Sequence, residues 1–485
     1  MPSTAMLPRL RRALPLAISV LLVGCASLAP PHERPPLPVP ATYPAAGAAI
    51  SMTPAAEICW RDYFTDSRLL TVVDQALVNN RDLRGALLRV EEARAAYGIQ
   101  RAERFPAVSM GLDAARARVP ADLSASGERV IGSQFQLGVG FNSWEADFWG
   151  RVRSLETAAL ETYLATDAAH AASTLSLIAQ VSNAYLGLSE LDERLALTRR
   201  TVASRAESLR IFRRRVALGA TSKLELTQVE VLWQQATTLL AQLEQARAAQ
   251  ANSLALLTGM DVGQLRTADH LDENATFRAL APGLPSDLLT ARPDVVAAEH
   301  SLKAASANIG AARAAFFPRI ALTGSFGTAS AELDGLFRNG SAAWTFAPSV
   351  SLPIFDGGRR EAALDLARVR REQAVVRYQQ VIQAAFRDVA DALAARHWLG
   401  EQVHMLSASL AVQTERARLA KLRYDSGAAR YLEVLDAERE LLAVEQQVVQ
   451  TRRALLSAQV ALYSALGGGT PGVCSDGTNE TQARP

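Results

Sequence analysis

The sequence predicts a mainly helical protein built as a tandem repeat, with strand hairpins of membrane-barrel type set between long helices. Three observations predict it. From Arg359 to Ser426 there is no proline and one glycine, Gly400; as a single helix that span would reach roughly 100 Å at 1.5 Å rise per residue. Landmarks recur at an offset of 208 residues (358 − 150, 427 − 219, 467 − 259): Gly150-Arg151 and Gly358-Arg359, Gly219 and Gly427, Gly259 and Gly467. Three landmarks at one offset indicate an internal duplication. Two stretches alternate apolar with small or polar residues over about ten positions, the period of a strand with two unlike faces. A half-buried soluble sheet would alternate in the same way.

Taken in order, residues 1–24 read as an export signal. Arg9, Arg11 and Arg12 precede the apolar run Ala13–Val23, the charge-then-apolar order of a secretory leader. The segment ends Leu22-Val23-Gly24-Cys25, which resembles the lipobox of bacterial lipoproteins. Cleavage before Cys25 would leave an N-acyl chain and an S-diacylglycerol on that residue, and several chains anchor where one does not. Ala26, which is not acidic, favours the outer membrane. An ordinary leader with a chance cysteine is the plainer reading, and the order of all four features weighs against it. Residues 25–60 are rich in proline and alanine and read as an extended tether. Cys59 and Cys474 could pair in an oxidising compartment or stay unpaired.

The first repeat spans 61–259, with hairpin strands at about 107–142 and long helices at about 150–259. A linker follows at 260–285. The second repeat spans 286–467, with strands at about 319–354 and helices at about 359–467; 468–485 is a tail. In each repeat a shorter helix stops at Phe105-Pro106 or Phe317-Pro318, where proline pushes the preceding residue to extended backbone. Val108, Met110 and Leu112 then alternate with Ser109, Gly111 and Asp113, and Phe135, Leu137, Val139 and Phe141 with Gln134, Gln136, Gly138 and Gly140. In the second repeat Trp344, Phe346, Val350, Leu352 and Ile354 alternate with Thr345, Ser349 and Ser351. The loop of the first hairpin, around Val119–Gly132, reads as the longer one. Ile382, Phe386, Val389 and Leu393 form a coiled-coil seam, and Leu435, Leu442, Val449, Leu456 and Tyr463 fall seven apart beside a second row of Leu441, Val444, Val448, Leu455 and Leu462. Four strands cannot close a barrel, so insertion requires several chains around one axis.

The formal charge of +2, with bases interleaved among acids, fits solvated helix faces and not a nucleic-acid patch. Six scattered histidines, no His-Glu-x-x-His motif, no paired-cysteine spacing and no lysine after Gly467-Gly468-Gly469-Thr470 argue against an enzyme or a metal site.

The chain resembles the outer-membrane factors of resistance-nodulation-division (RND) multidrug efflux systems, the TolC superfamily, and most closely its OprM-type lipoproteins. The resemblance is carried by Asn80-Arg81-Asp82-Leu83, Trp144-Glu145-Ala146-Asp147-Phe148-Trp149-Gly150-Arg151, Arg292-Pro293-Asp294, Ala307-Asn308-Ile309-Gly310 running on to Phe317-Pro318, Leu352-Pro353-Ile354-Phe355, and Tyr431-Leu432-Glu433-Val434-Leu435-Asp436-Ala437. It implies a homotrimer with four strands per chain in a shared twelve-stranded barrel and a coiled-coil α-barrel through the periplasm. It also implies a periplasmic adaptor, an inner-membrane RND transporter, outer-membrane lipid around the barrel, and passive export of drugs and other small toxic compounds without catalysis or a cofactor.

By the same resemblance Asp436 lines the periplasmic aperture, Arg439 helps hold it, and Tyr424 tethers the moving hairpin to the first long helix. On their own these would read as a solvated aspartate and its helical ion-pair partner. The chain departs from the pattern beside Tyr424: the basic neighbour is Asp425, and the acidic partner falls on Leu191, between Glu190 and Asp192. Gly219, Ala220 and Thr221 with Gly427 and Ala428 would be the tips at which the adaptor docks, although turn geometry alone explains glycine there. Trp144, Phe148 and Trp149 read as an interfacial belt or, slightly better, as packing where strand becomes helix. A type I protein-secretion channel or a secreted coiled-coil scaffold remain alternatives.

Overall fold

The computed structural model describes residues 28–43, 55–261, 277–278, 280 and 287–468. Cys25 and Cys474 lie outside them. Helix α1 is Ser67–Asn79, α2 Arg81–Ala102, α3 Arg151–Ala217, α4 Lys223–Thr258, α5 Pro293–Ala314, α6 Arg359–Asp425 and α7 Tyr431–Ala465; the strands are β1 Val108–Val119, β2 Val130–Glu145, β3 Arg319–Ser330 and β4 Ala342–Ser351. The duplication is close in the long helices: α3 and α6 each hold 67 residues, and α4 and α7 hold 36 and 35. The chain folds as two compact units, Met1–Pro35 with Val90–Thr166 and Ala298–Tyr378, and Pro36–Arg89 with Asp167–Ala297 and Gln379–Pro485. Each unit therefore draws on both repeats.

The first unit holds one antiparallel sheet in the order β1-β2-β3-β4. Register places Val108 opposite Phe141, Leu112 opposite Leu137, Val139 opposite Phe326, and Phe326 opposite Trp344. All the large apolar residues so aligned share one face, while Gln134, Gln136, Thr323, Ser325, Thr345 and Ser349 share the other. Three expectations are corrected. Strand β2 runs past 142 to Glu145 because a bulge between Phe141 and Trp144, with Ser143 at φ 52°, resets the alternation. Strand β4 stops at Ser351 and not at 354, since Pro353 has no N–H to continue the ladder. The loops 120–129 and 331–341 are near equal in length, so the first is not the longer.

Where strand becomes helix, each polar residue of the Trp144–Arg151 stretch is engaged. Glu145 accepts from Arg151 Nε and Nη2 at 2.8 Å each and pairs with Arg319 at 2.8 Å. Asp147 caps α3 through the Arg153 N–H at 2.8 Å, a favourable place for an anion. Trp149 donates to the Pro318 carbonyl at 2.7 Å and stacks on Phe317, so packing is its role. Trp144 instead stands opposite Leu322 on the apolar face of the sheet. The N-terminal stretch is not merely extended here. Arg313 donates to the Leu28 carbonyl at 2.9 Å, and His32 and Arg34 both reach the buried Glu299 at 3.2 Å. Gly310 permits this contact, since a Cβ there would meet the Ala29 nitrogen at 2.8 Å.

In the second unit the heptad rows are core. Leu435, Leu442, Val449, Leu456 and Tyr463 are buried, as are Ile382, Val389 and Leu393. Tyr63 stacks on Tyr463 at 4.2 Å, and their hydroxyls donate to the carbonyls of Gln459 and Ile58. Asn80 is buried because it serves two elements: it caps α2 through the Leu83 N–H and donates to the Leu257 carbonyl at the end of α4. Arg292 grips Asp294 with two bonds, reaches Asp388 on α6, and donates to the Ala465 carbonyl at the end of α7. A cation there satisfies carbonyls that the helix leaves open. Cys59 is disulfide-bonded.

Candidate aperture and tip

The turns joining α3 to α4 and α6 to α7 have the same construction. Ala220 N–H bonds to the Arg215 carbonyl and Gly219 N–H to that of Val216; Ala428 bonds to Arg423 and Gly427 to Tyr424. These paired bonds form a Schellman ending, which requires a left-handed residue, and Gly219 and Gly427 take it at φ 67° and 76°. After the first turn Ser222 caps α4 by accepting from the Glu225 N–H, and the Thr221 hydroxyl bonds to the Glu225 carboxylate.

Just above these turns the four helices are joined by aromatic packing. Leu209, Phe212, Val229 and Leu435 form one buried cluster, and Ala420, Val434 and Ala437 another, with Tyr431 against both. Tyr431 lies 4.6 Å from Phe212 and 4.8 Å from Tyr424 between ring centres, and its hydroxyl bonds to Ser208 at 2.7 Å. Tyr424 accepts a hydrogen bond from Arg215 Nη1, whose guanidinium also lies over its ring at 5.9 Å. A bond from α3 to Tyr424 is thus present, but its partner is basic. The acidic candidates are engaged elsewhere: Glu190 with Arg194 and Arg453, and Asp192 with Arg247. Asp425 pairs with Lys421 on its own helix at 2.9 Å.

Asp436 is half-exposed and held from two sides. Arg439, one turn on, bonds to Oδ1 at 2.7 Å, and Arg416 of α6 bonds to Oδ2. Sequence reasoning missed Arg416. It lies on the preceding helix, 20 residues before Asp436 and about one turn further from the bend than the residue that counting outward would pair with Asp436. Arg416 and Asp436 line an open groove of about 1060 Å³ together with Val412, Leu419, Leu432 and Arg423. Deeper in, Arg205 is buried and donates to the Leu232 carbonyl at 2.8 Å. Burial pushes the nearby Glu438 carboxyl above the usual carboxylate range, against the pull of Arg205 and Lys421. No group of three metal-ligating side chains occurs among the described residues, and no described helix is long and apolar enough to cross a membrane.

Comparison with known proteins fits this geometry. Over 460 residues the chain is 43% identical to outer membrane protein OprJ of Pseudomonas aeruginosa, covering 93% of this chain and 94% of that one. It is 43% identical over 472 residues to the toluene efflux pump outer membrane protein TtgF of Pseudomonas putida, covering 95% and 98%. Its fold is similar to a membrane protein of Pseudomonas aeruginosa, with a TM-score of 0.86 at 42% identity over 92% of this chain and 98% of that one. It is also similar to the open state of the Neisseria gonorrhoeae MtrE outer membrane channel, with a TM-score of 0.83 at 37% identity over 92% and 99%. The model of the outer membrane efflux protein family matches residues 72–260 and 284–468, one match per repeat, and the chain belongs to that family.

Proposed function

We propose that three copies of this chain form the outer-membrane exit duct of a tripartite efflux pump, passively conducting small toxic compounds out of the cell. The sheet carries the reading. It is apolar on one face, small and polar on the other, and its edge strands β1 and β4 have no partner within the chain. Open edges are not tolerated in lipid. All neighbours in the sheet are antiparallel, so β4 of one copy can pair with β1 of the next in the same sense, closing twelve strands with the polar face inward. Efflux is favoured over protein secretion because relatives along the full length are named for efflux of toluene.

In this reading Cys25 carries the lipid and holds the chain at the outer membrane. Asp436 and Arg439 line the periplasmic aperture, Tyr424 latches it, and the turns at Gly219, Ala220, Thr221, Gly427 and Ala428 meet the adaptor. The pump supplies the energy, and this subunit performs no catalysis. Deleting the protein in a strain with no redundant exit duct should lower the inhibitory concentrations of several drug classes together, and restoring it should reverse this. Unchanged susceptibility would point to another cargo. A monomer soluble without detergent would overturn the assembly itself.

A further inference from the structure

The apolar face of the sheet has a measurable height and a charged upper edge. Along β3 the band runs from the row of Ile320 and Val350 to the row of Phe135 and Ser330. The ten residue-to-residue steps between these rows, at about 3.3 Å each, span about 33 Å. At a barrel tilt of about 40° that becomes about 25 Å of height, the thickness of the hydrocarbon layer. Strand β1 continues past this edge on the same face with Arg116 opposite Ser133 and Arg118 opposite Ile131. The two guanidinium groups therefore stand about 5 Å and about 10 Å above the apolar band, where headgroups lie. Both are exposed, and neither has an ion-pair partner among the described residues. No acidic residue stands on this face: Asp113 points to the opposite one, and Glu145 follows the bulge.

Both hairpin turns lie at this end of the sheet, while α2, α3, α5 and α6 leave from the other. The helices, with their many charges, stay on the side to which the chain is exported, so only the turns cross and the arginines reach the outer leaflet. We infer that Arg116 and Arg118 form a binding site for the phosphates of the outer leaflet's phosphorylated glycolipid, whose acyl chains lie against Leu112, Phe135 and Leu137. Arginine suits this task, since its fork holds phosphate oxygens in pairs. A free phosphate would gain only exposed ion pairs, which are weak. A lipid gains the apolar contact as well. The inference rests on the outer-membrane duct reading above.

The test is native mass spectrometry of the assembled, detergent-purified protein titrated with diphosphorylated lipid A, with its phosphate-free counterpart, and with inorganic phosphate as competitor. The wild type should bind the diphosphorylated lipid and not the phosphate-free form. R116Q/R118Q should bind at least fivefold more weakly, R116K/R118K should fall between, and R129Q in the adjoining loop should match the wild type. Equal binding by R116Q/R118Q, equal binding of phosphate-free lipid, or displacement by millimolar phosphate would overturn the site. Assembly mass confirms that each variant is folded. Flotation with phosphocholine vesicles separates the two readings. Wild-type protein that fails to float refutes membrane insertion, whereas normal flotation with unaltered lipid A binding refutes only the arginine site.

Discussion

Replacing Tyr424 with phenylalanine isolates the bond between α3 and α6. The ring stays, with its contact to Tyr431 at 4.8 Å and its place beneath the Arg215 guanidinium. Only the hydroxyl that accepts from Arg215 is lost. A hydrogen bond at so exposed a position contributes about 0.5–1 kcal/mol net. In a threefold assembly the closed state would lose about 1.5–3 kcal/mol, which raises the open population roughly tenfold to 150-fold while closed channels predominate. Single-channel recording in planar bilayers reads this directly as open probability. Tyr424→Ala, which also removes the aromatic contacts, should open the channel further. If Tyr424→Phe conducts like the wild type while Tyr424→Ala is open, the packing holds the hairpin and the hydrogen bond does not.

Asp436→Ala should raise resting conductance in the same assay, because it removes two half-exposed ion pairs of about 0.2–1 kcal/mol each and leaves Arg416 and Arg439 unopposed; unaltered conductance would remove Asp436 from the gate. Glu438→Gln should raise the melting temperature at pH 7 to 8. The native carboxyl is held above its usual range by burial, so its stabilising share is present below the unfolded pKa and fades as pH climbs through the folded one. Glutamine imitates the protonated form and should flatten that decline; a variant that melts lower at pH 8 would contradict the assignment. Cys25→Ser should abolish palmitate labelling, and normal labelling of the variant would place the lipid elsewhere.

Where the sequence was legible, short-range patterns carried the information. The stop of α6 at Asp425 and the restart at Tyr431 follow from one glycine able to adopt a positive φ. The heptad leucines of α7 announced their own burial, and the pair between Asp436 and Arg439 follows from helical spacing alone. What stayed hidden joins distant parts of the chain. Arg215 and Tyr424 are 209 residues apart, whereas the resemblance placed the partner position on Leu191, and the acids on either side of it, Glu190 and Asp192, are committed by the fold to Arg194 and Arg247. The bulge after Phe141 hid the sidedness of Trp144, because one inserted residue reverses every later face.

The amino-acid sequence by itself determined the duplication, the lengths of the long helices, the positions of their turns and the two-faced character of the strands. Each of these depends on backbone preference and apolar period within a few tens of residues. Only the tertiary structure decided that each compact unit is drawn from both repeats, that Tyr424 meets a cation, and that Arg116 and Arg118 stand one and two steps above an apolar band of bilayer height. Strand register and cross-helix pairing set those relations, and residues far apart in the chain carry no local mark of where they will meet.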